Sequence, residues 1–404
     1  MKLIHKMILY MLCIVIVLQC YSLLVMMKSN RDFLIVIFGY IVILFLVDRK
    51  LVLEKNRLIL LMIYAIFMGM LFILGDFKDI EFVFSIVATY ILFMLYLDSE
   101  ERILEILEVF TNIMFLIACI SLFFFVFASG LNLIEPSAYY SDAEVNWGVQ
   151  DYYNFNYIYC EGQRILAFGY NGVRNTALFL EAPMFVYPLA IAIYYELFLR
   201  KASYRKYVLA VFVVAIITSF STTGLLVLVA VFYLKFYKLF MKSNFTKFIL
   251  IPGLILVALS GAIYIFADKV VNGTISVNAR FDDILTTIKC LIDNPVMGIG
   301  FENLDGLDQY RIVYRESTGL STGLGAVFAY GGFMLGIWYM IPIVVGIYKF
   351  VMKKNQRKEM GFVILIGALL FVSVVQTRIL CTLMNAISWI FITKKYDCNE
   401  NRNN

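Results

Sequence analysis

Histidine is nearly absent: the chain has one, His5, in 404 residues. Neither a histidine metal cluster nor a Ser-His-Asp triad can be assembled without a second or correctly placed imidazole, so both chemistries are excluded. Charge is scarce too, at 16% of residues against roughly a quarter in a soluble domain. The 34 Lys and Arg nearly balance 29 Asp and Glu, for a net +5, and no basic block points to a nucleic-acid partner. The seven cysteines show no paired spacing. Cys13, Cys20, Cys119 and Cys381 lie in apolar runs, where thiols behave as small hydrophobes. Cys160 and Cys290 fall in polar segments, and no disulfide framework is implied. What fills the chain instead is apolar: 62% of it, with mean hydropathy +0.85. A water-soluble fold is excluded.

At roughly 20 residues per spanning helix, that content supplies about a dozen spans. Twelve apolar runs are found, at 7–27, 33–47, 58–75, 80–97, 109–129, 176–199, 207–219, 222–240, 248–267, 320–348, 361–377 and 379–393. The first is longer than a signal-peptide core and lacks a small-x-small cleavage site, so it reads as a retained helix. The last two flank Arg378 and could form one broken helix. The chain therefore reads as an all-α, polytopic integral membrane protein, one domain over residues 1–404. An N-terminus in the cytoplasm collects 23 of the 34 basic residues on one set of loops. The positive-inside rule then leaves both termini cytoplasmic.

Two long polar segments fall on the other side, residues 130–175 and 268–319. A transporter usually has short loops and midplane sites on broken helices; here the non-membrane sequence is concentrated on one face, where function on a rigid scaffold tends to lie. The first segment carries a run of tyrosines from Tyr139 to Tyr159, with Trp147, Phe155 and several Asp, Glu and Asn interleaved. Such a mixture suits sugar rings, which offer a C–H face and a rim of hydroxyls, and Trp147, Tyr152 and Tyr153 are the candidate contacts. Aromatics of this kind equally anchor a loop at the membrane interface. The segment ends in Arg164 and Arg174, and Glu181 follows in NTALFLEAP. A carboxylate inside an apolar helix is costly unless paired and marks a functional site by default. Arg174 is the natural partner; if the helix already begins there, both groups share a face two turns apart. A plain ion pair at the helix top fits the same pattern.

In the second segment, NARFDDILTTIKCLIDNPVMGIGFEN, Phe281, Ile284, Leu285, Ile288 and Leu291 recur at helical spacing. This predicts an amphipathic helix along the outer membrane surface, with Asp282, Asp283 and Lys289 on its other faces. Asp293-Asn294-Pro295 stops it, and Gly298 and Gly300 permit a tight return. Arg280 opens the helix; Arg311 and Arg315 come later. Guanidinium forks match phosphate oxygens and stay charged at every relevant pH. Arg164, Arg174 and Arg280 as a set read as anion binding, whereas any one alone reads as a headgroup contact or a salt bridge with Asp282, Asp283 or Glu316. Asp282-Asp283 is a poor metal pair, since adjacent helical residues point about 100° apart.

With these residues in place, the chain resembles the Wzy-type O-antigen and capsular polysaccharide repeat-unit polymerases. More distantly it is similar to the O-antigen ligases of the same superfamily. RNTALFLEAPMF at 174–185 is like the family's R..G.F.EP element after its large outer loop. SFSTTG at 219–224 is like its Ser/Thr-Gly turn, though by itself it reads as a structural turn; NPVMGIGFEN at 294–303 is like its NP..G.G element. STGLGAVFAYGGFMLG at 321–336 is like the membrane helix that follows. Arg174 then resembles the arginine of the first element, Glu181 its glutamate, and Arg280 the arginine opening the amphipathic helix.

The resemblance implies a GT-C-like architecture in a bacterial plasma membrane and a metal-independent glycosyltransferase with no cofactor. Such an enzyme would transfer glycan from a polyprenyl-diphosphate-linked oligosaccharide to the acceptor sugar of another lipid-linked repeat unit, at the outer face. A flippase and a chain-length regulator would be its partners, alongside the lipid bilayer. Arg174, Arg280 and Arg164, with Arg311 and Arg315, would hold the diphosphate; Glu181 would act as general base or orient the acceptor. Ligases of the superfamily carry a histidine near the position of Ser317 to Ser321; this chain has none, which favours polymerase and leaves the base open. A flippase or exporter of lipid-linked oligosaccharide is the alternative of another class, but it calls for charges through the membrane centre, and here they lie near span ends.

Overall fold

The structure is a computed structural model that describes residues 2–48, 55–75, 80–145, 147, 150–167, 170–240, 274–312 and 319–394. Among them, eleven of the twelve apolar runs coincide with helices; the run at 248–267 lies outside the described residues. Five helices among the described residues are long and apolar enough to cross a membrane: Asn30–Val47, Lys55–Leu74, Glu100–Gly130, Ala182–Leu199 and Gly323–Met352. Shorter apolar helices, Leu3–Gln19, Val83–Tyr96, Lys206–Thr218, Thr222–Tyr237 and Ile379–Thr393, pack among them. Arg357–Val372 and Ile379–Thr393 are two separate helices, and the break leaves Arg378 between them.

The hub is Ala182–Tyr194, in which every residue but Pro183 is buried. It packs on Glu100–Phe124, Lys206–Thr218, Thr222–Phe240 and Arg357–Val372, and a helix apolar all round belongs in such a centre. The outer helices behave otherwise. Ile35, Leu46, Met62, Ile66 and Ile73 are exposed, an apolar surface that water would not tolerate and lipid does.

The two ends of the bundle differ in chemistry. One end is tied by ion pairs, Arg205 to Glu196 at 2.8 Å, Arg102 to Asp98 at 3.5 Å, and Lys394 to Glu100. The other carries the long polar segments. The first of these is not simply a loop. Antiparallel strands β1 (Ala138–Tyr140), β2 (Tyr152–Phe155) and β3 (Tyr159–Glu161) form one small sheet, and β4 (Arg164–Ala167) pairs with β5 (Tyr170–Val173). Aromatic pairs cross the strands, Tyr139 facing Tyr153 at 5.4 Å between ring centres.

The second polar segment begins with the expected helix, Thr274–Asp293. Its apolar stripe of Phe281, Ile284, Ile288 and Ile292 faces outward, while Asp282 and Asp283 are buried. The aspartates are not on solvated faces because the chain returns over them: Asp282 accepts from the Ile312 amide at 3.0 Å and Asp283 from the Ser321 amide at 2.7 Å. Pro295 to Gly300 then enters a break in Gly323–Met352, where Gly332 is non-helical at φ 56°. Four backbone bonds of 2.7–3.1 Å seal the junction, from Ile299 and Gly300 to the Ala329 and Tyr330 carbonyls, and from Phe333 and Met334 to those of Pro295 and Val296. Broken helices survive in a membrane only where their freed backbone groups find such partners.

Candidate functional site

The hub helix starts at Ala182, with Glu181 as its N-cap. It does not begin near Arg174, because residues 176–180 are drawn into an extended strap against the turn after the first helix. Leu23 donates to Leu178 O at 3.0 Å, Leu180 donates to Tyr21 O at 3.1 Å, and Ala177 turns the strap at φ 52°. Glu181 caps with its carbonyl, which accepts from Met184 and Phe185; the Ala182 amide goes to the Gln163 side chain at 3.0 Å, and Pro183 has no N–H. The carboxylate is thereby released from capping and accepts instead from the Trp147 indole at 3.1 Å. The positive end of the helix dipole favours its charge.

Arg174 ends the β4–β5 hairpin. Its side chain is 6% exposed and donates from Nε to Ser219 O at 2.9 Å and from Nη2 to Phe220 O at 3.2 Å. The SFSTTG turn thus presents its carbonyls to a guanidinium, with Phe220 held at φ 48° to do so. Burial pushes the Arg174 pKa down to about 10, and the Glu181 carboxylate opposes that shift. Arg174 and Glu181 therefore do not share one helix face, since the strap lies between them; the link between them here is the electrostatic effect of the carboxylate on the guanidinium.

Tyr21 links this pair to a second cationic group. Its ring packs on Trp147 at 4.8 Å, and the Arg378 guanidinium lies 3.8 Å from its centre, a cation–π contact. Arg378 borders a cavity of about 240 Å³ with Lys28, Asn30, Glu81, Ser85, Glu302 and Thr377. Burial works against the Arg378 charge, and Tyr21 and Glu302 more than offset it, raising its basicity. Lys28, Arg174, Glu181, Glu302 and Arg378 are thus carried to the same end of the bundle by four separate stretches of chain.

No family model, curated protein or solved structure matches this chain. What the site can do rests on its own geometry.

The remaining sequence candidates divide. Arg164 is exposed and, with Tyr153, Glu161 and Gln150, lines a groove of about 390 Å³. Burial raises the Glu161 pKa, opposed by a 2.6 Å bond from Ser129 and by the Arg164 charge. Tyr152 is fully buried, its hydroxyl donating to Trp147 O at 3.1 Å and accepting from Gln150 at 2.7 Å; it supports Trp147 and offers no open ring face. Arg311 bonds Asp308 at 2.6 Å and Gly319 O at 3.1 Å. Arg280 lies within the helix Thr274–Asp293, its side chain outside the described residues, as is Arg315 altogether. Sequence reasoning passed over Tyr21, Lys28, Glu302 and Arg378. Arg378 carried a signal: a cation between two apolar runs near a span end, which by default marks a site.

Proposed function

We propose that the chain is a metal-independent membrane glycosyltransferase of the repeat-unit polymerase kind. It takes glycan from a polyprenyl-diphosphate-linked oligosaccharide and joins it to an acceptor sugar on a second lipid-linked repeat unit. In this reading the chain has twelve spans in a bacterial plasma membrane, both termini are cytoplasmic, and the end carrying the polar segments faces outward. A flippase would supply the lipid-linked units, and a chain-length regulator would act on the product.

One observation carries the reading: a buried arginine, a carboxylate at the start of the hub helix and a second arginine lie at one end of an apolar bundle, the carboxylate and the second arginine joined through the Tyr21–Trp147 contact. Anionic and hydroxylated substrates on a lipid anchor need such groups at a membrane surface. The diphosphate leaving group already carries the driving energy, so the task left to the protein is to stabilise charge as the anomeric carbon–oxygen bond breaks. Of the five guanidinium N–H donors, Arg174 commits Nε and one on Nη2 to carbonyls, which fixes its plane and leaves the rest of the fork for phosphate oxygens. Arg280 and Arg164 are the other candidates for that anion. Glu181, held by Trp147 and facing the Arg174 charge, suits orienting the acceptor more than removing its proton. Trp147, Tyr153 and the groove beside Arg164 would take sugars.

The test is an assay of purified protein in liposomes supplied with lipid-linked repeat units. If Arg174→Ala and Arg280→Ala both polymerise at the native rate, the assignment fails. Product length separates the readings: a ladder is polymerase, a single addition is ligase, and translocation without transfer is a flippase.

A further inference from the structure

We propose that the cavity bordered by Lys28, Glu302, Thr377 and Arg378 is the acceptor-sugar site, and that Glu302 takes the proton from the attacking hydroxyl. This rests on the glycosyltransferase reading above and supplies the base that reading leaves unassigned.

The cavity holds about 240 Å³, below the roughly 300–1,000 Å³ of pockets for drug-sized ligands, which suits one ring-sized group. Its lining mixes hydrogen-bonding side chains, Asn30, Ser85 and Thr377, with Val25, Met26 and Phe301. That is the pairing a sugar presents, hydroxyls on the rim and C–H groups on the face. Both signs of charge are present, so no single-sign ligand is selected. Two carboxylates line it, and they differ in exposure. Glu81 is half-buried, accepting from Asn30 at 2.8 Å and pairing with Arg31 at 3.7 Å. Glu302 is exposed and acts electrostatically on Arg378, which borders the same cavity.

Backbone strain points to the same place. Glu302 and Tyr21 are non-glycine residues in the left-handed region, at φ 47° and 58°. Such conformations cost about 1–3 kcal/mol and persist where surrounding structure enforces them, commonly at functional sites. Here the enforcement is visible. The segment before Glu302 is locked into the kinked helix by its four backbone bonds, and Phe301 packs on Phe82 at 5.3 Å. A carboxylate on such an anchored turn keeps its position as substrates come and go.

The step balances without a co-reactant. The acceptor oxygen bonds to the donor's anomeric carbon, the bond from that carbon to the diphosphate oxygen breaks, and the diphosphate departs with the electron pair. The hydroxyl proton passes to the Glu302 carboxylate and then to water. Tyr21 is shared by both halves of the site: Trp147 on it leads to Glu181, and Arg378 on it leads to the cavity.

The experiment compares wild type, Glu302→Gln and Arg378→Lys as full-length protein in liposomes with lipid-linked repeat units, reading donor binding, kcat, acceptor KM and the pH profile. Glu302→Gln should lower kcat by about 10²- to 10⁴-fold, the usual worth of general base catalysis, abolish the acid limb of the kcat profile and leave donor binding within twofold. Arg378→Lys should raise acceptor KM severalfold with a smaller change in kcat. If Glu302→Gln retains its acid limb and a rate within twofold while wild type polymerises, Glu302 is not the base and the polymerase reading stands. If wild type transfers no glycan at all, both fall.

Discussion

The Trp147 indole donates to the Glu181 carboxylate across 3.1 Å, and this one bond ties the polar segment between the fifth and sixth apolar runs to the top of the hub helix. Trp147→Phe keeps a ring, though a smaller one, for packing on Tyr21 and removes the donor. A hydrogen bond to a charged group is worth about 1.5–3 kcal/mol. The variant should therefore lose roughly tenfold or more in transfer rate, while its thermal unfolding midpoint in detergent stays within a few degrees of wild type. An unchanged rate would show that Glu181 does not depend on Trp147 for its position.

Glu161 gives the groove beside Arg164 a pH signature. Burial raises its pKa above the ordinary 4.5, so the folded state favours the protonated carboxyl. The stability it contributes is then full below about pH 4.5 and is lost as pH rises through the raised folded value. Glu161→Gln, which mimics the protonated form, should unfold at a higher temperature than wild type above that window and at the same temperature below it. Melting curves across pH 4 to 8 read the difference, and parallel curves would remove the burial argument.

The junction between Pro295–Gly300 and the kinked helix is the most sterically demanding contact near the site. A Cβ on Gly298, at φ 67°, would sit 2.4 Å from the Tyr330 carbonyl carbon; one on Gly332, at φ 56°, would sit 2.6 Å from that of Val296. Backbone cannot yield as a side-chain tip can. Gly298→Ala and Gly332→Ala should each cost about 2–6 kcal/mol from overpacking and strain together. Gly319→Ala, with nothing within 4 Å of its added carbon, is the control and should be close to neutral.

Much of this was legible in the chain because apolar runs bound for lipid are written locally. Eleven of the twelve apolar runs hold described helices, the hub included, since each needs only its own residues to declare itself. Gly298 and Gly300 announced a tight return of the backbone, and both take positive φ, 67° and 101°; that the return enters the long helix at Gly332 was not announced. What was not legible depends on partners far away. Arg378 and Tyr21 lie at opposite ends of the sequence, and neither predicts the other. Residues 176–180 read as helix because they are apolar, yet they leave the helix to pair with Tyr21 and Leu23, a competition no local propensity settles. The strands of residues 138–173 were hidden in the same way: Tyr152 to Phe155 is too short and too aromatic for alternation to be read from it.

The helix Thr274–Asp293 supplies the last prediction, because its two faces are held by different forces. Its inner face is anchored by Asp283, wholly buried, accepting from the Ser321 amide at 2.7 Å. Asp283→Ala leaves that amide without its acceptor and should cost about 1–3 kcal/mol, in detergent and bilayer alike. Its outer face of Phe281, Ile284, Ile288 and Ile292 touches little of the protein, with Phe281 66% and Ile292 71% exposed. If lipid covers that face, Phe281→Ser with Ile292→Ser should leave thermal stability in detergent nearly unchanged, since no protein contact is lost. In liposomes the same double variant should lose activity, because the helix that carries Arg280 would no longer be seated at the membrane surface. Comparable activity in both environments would mean that the stripe faces something other than lipid.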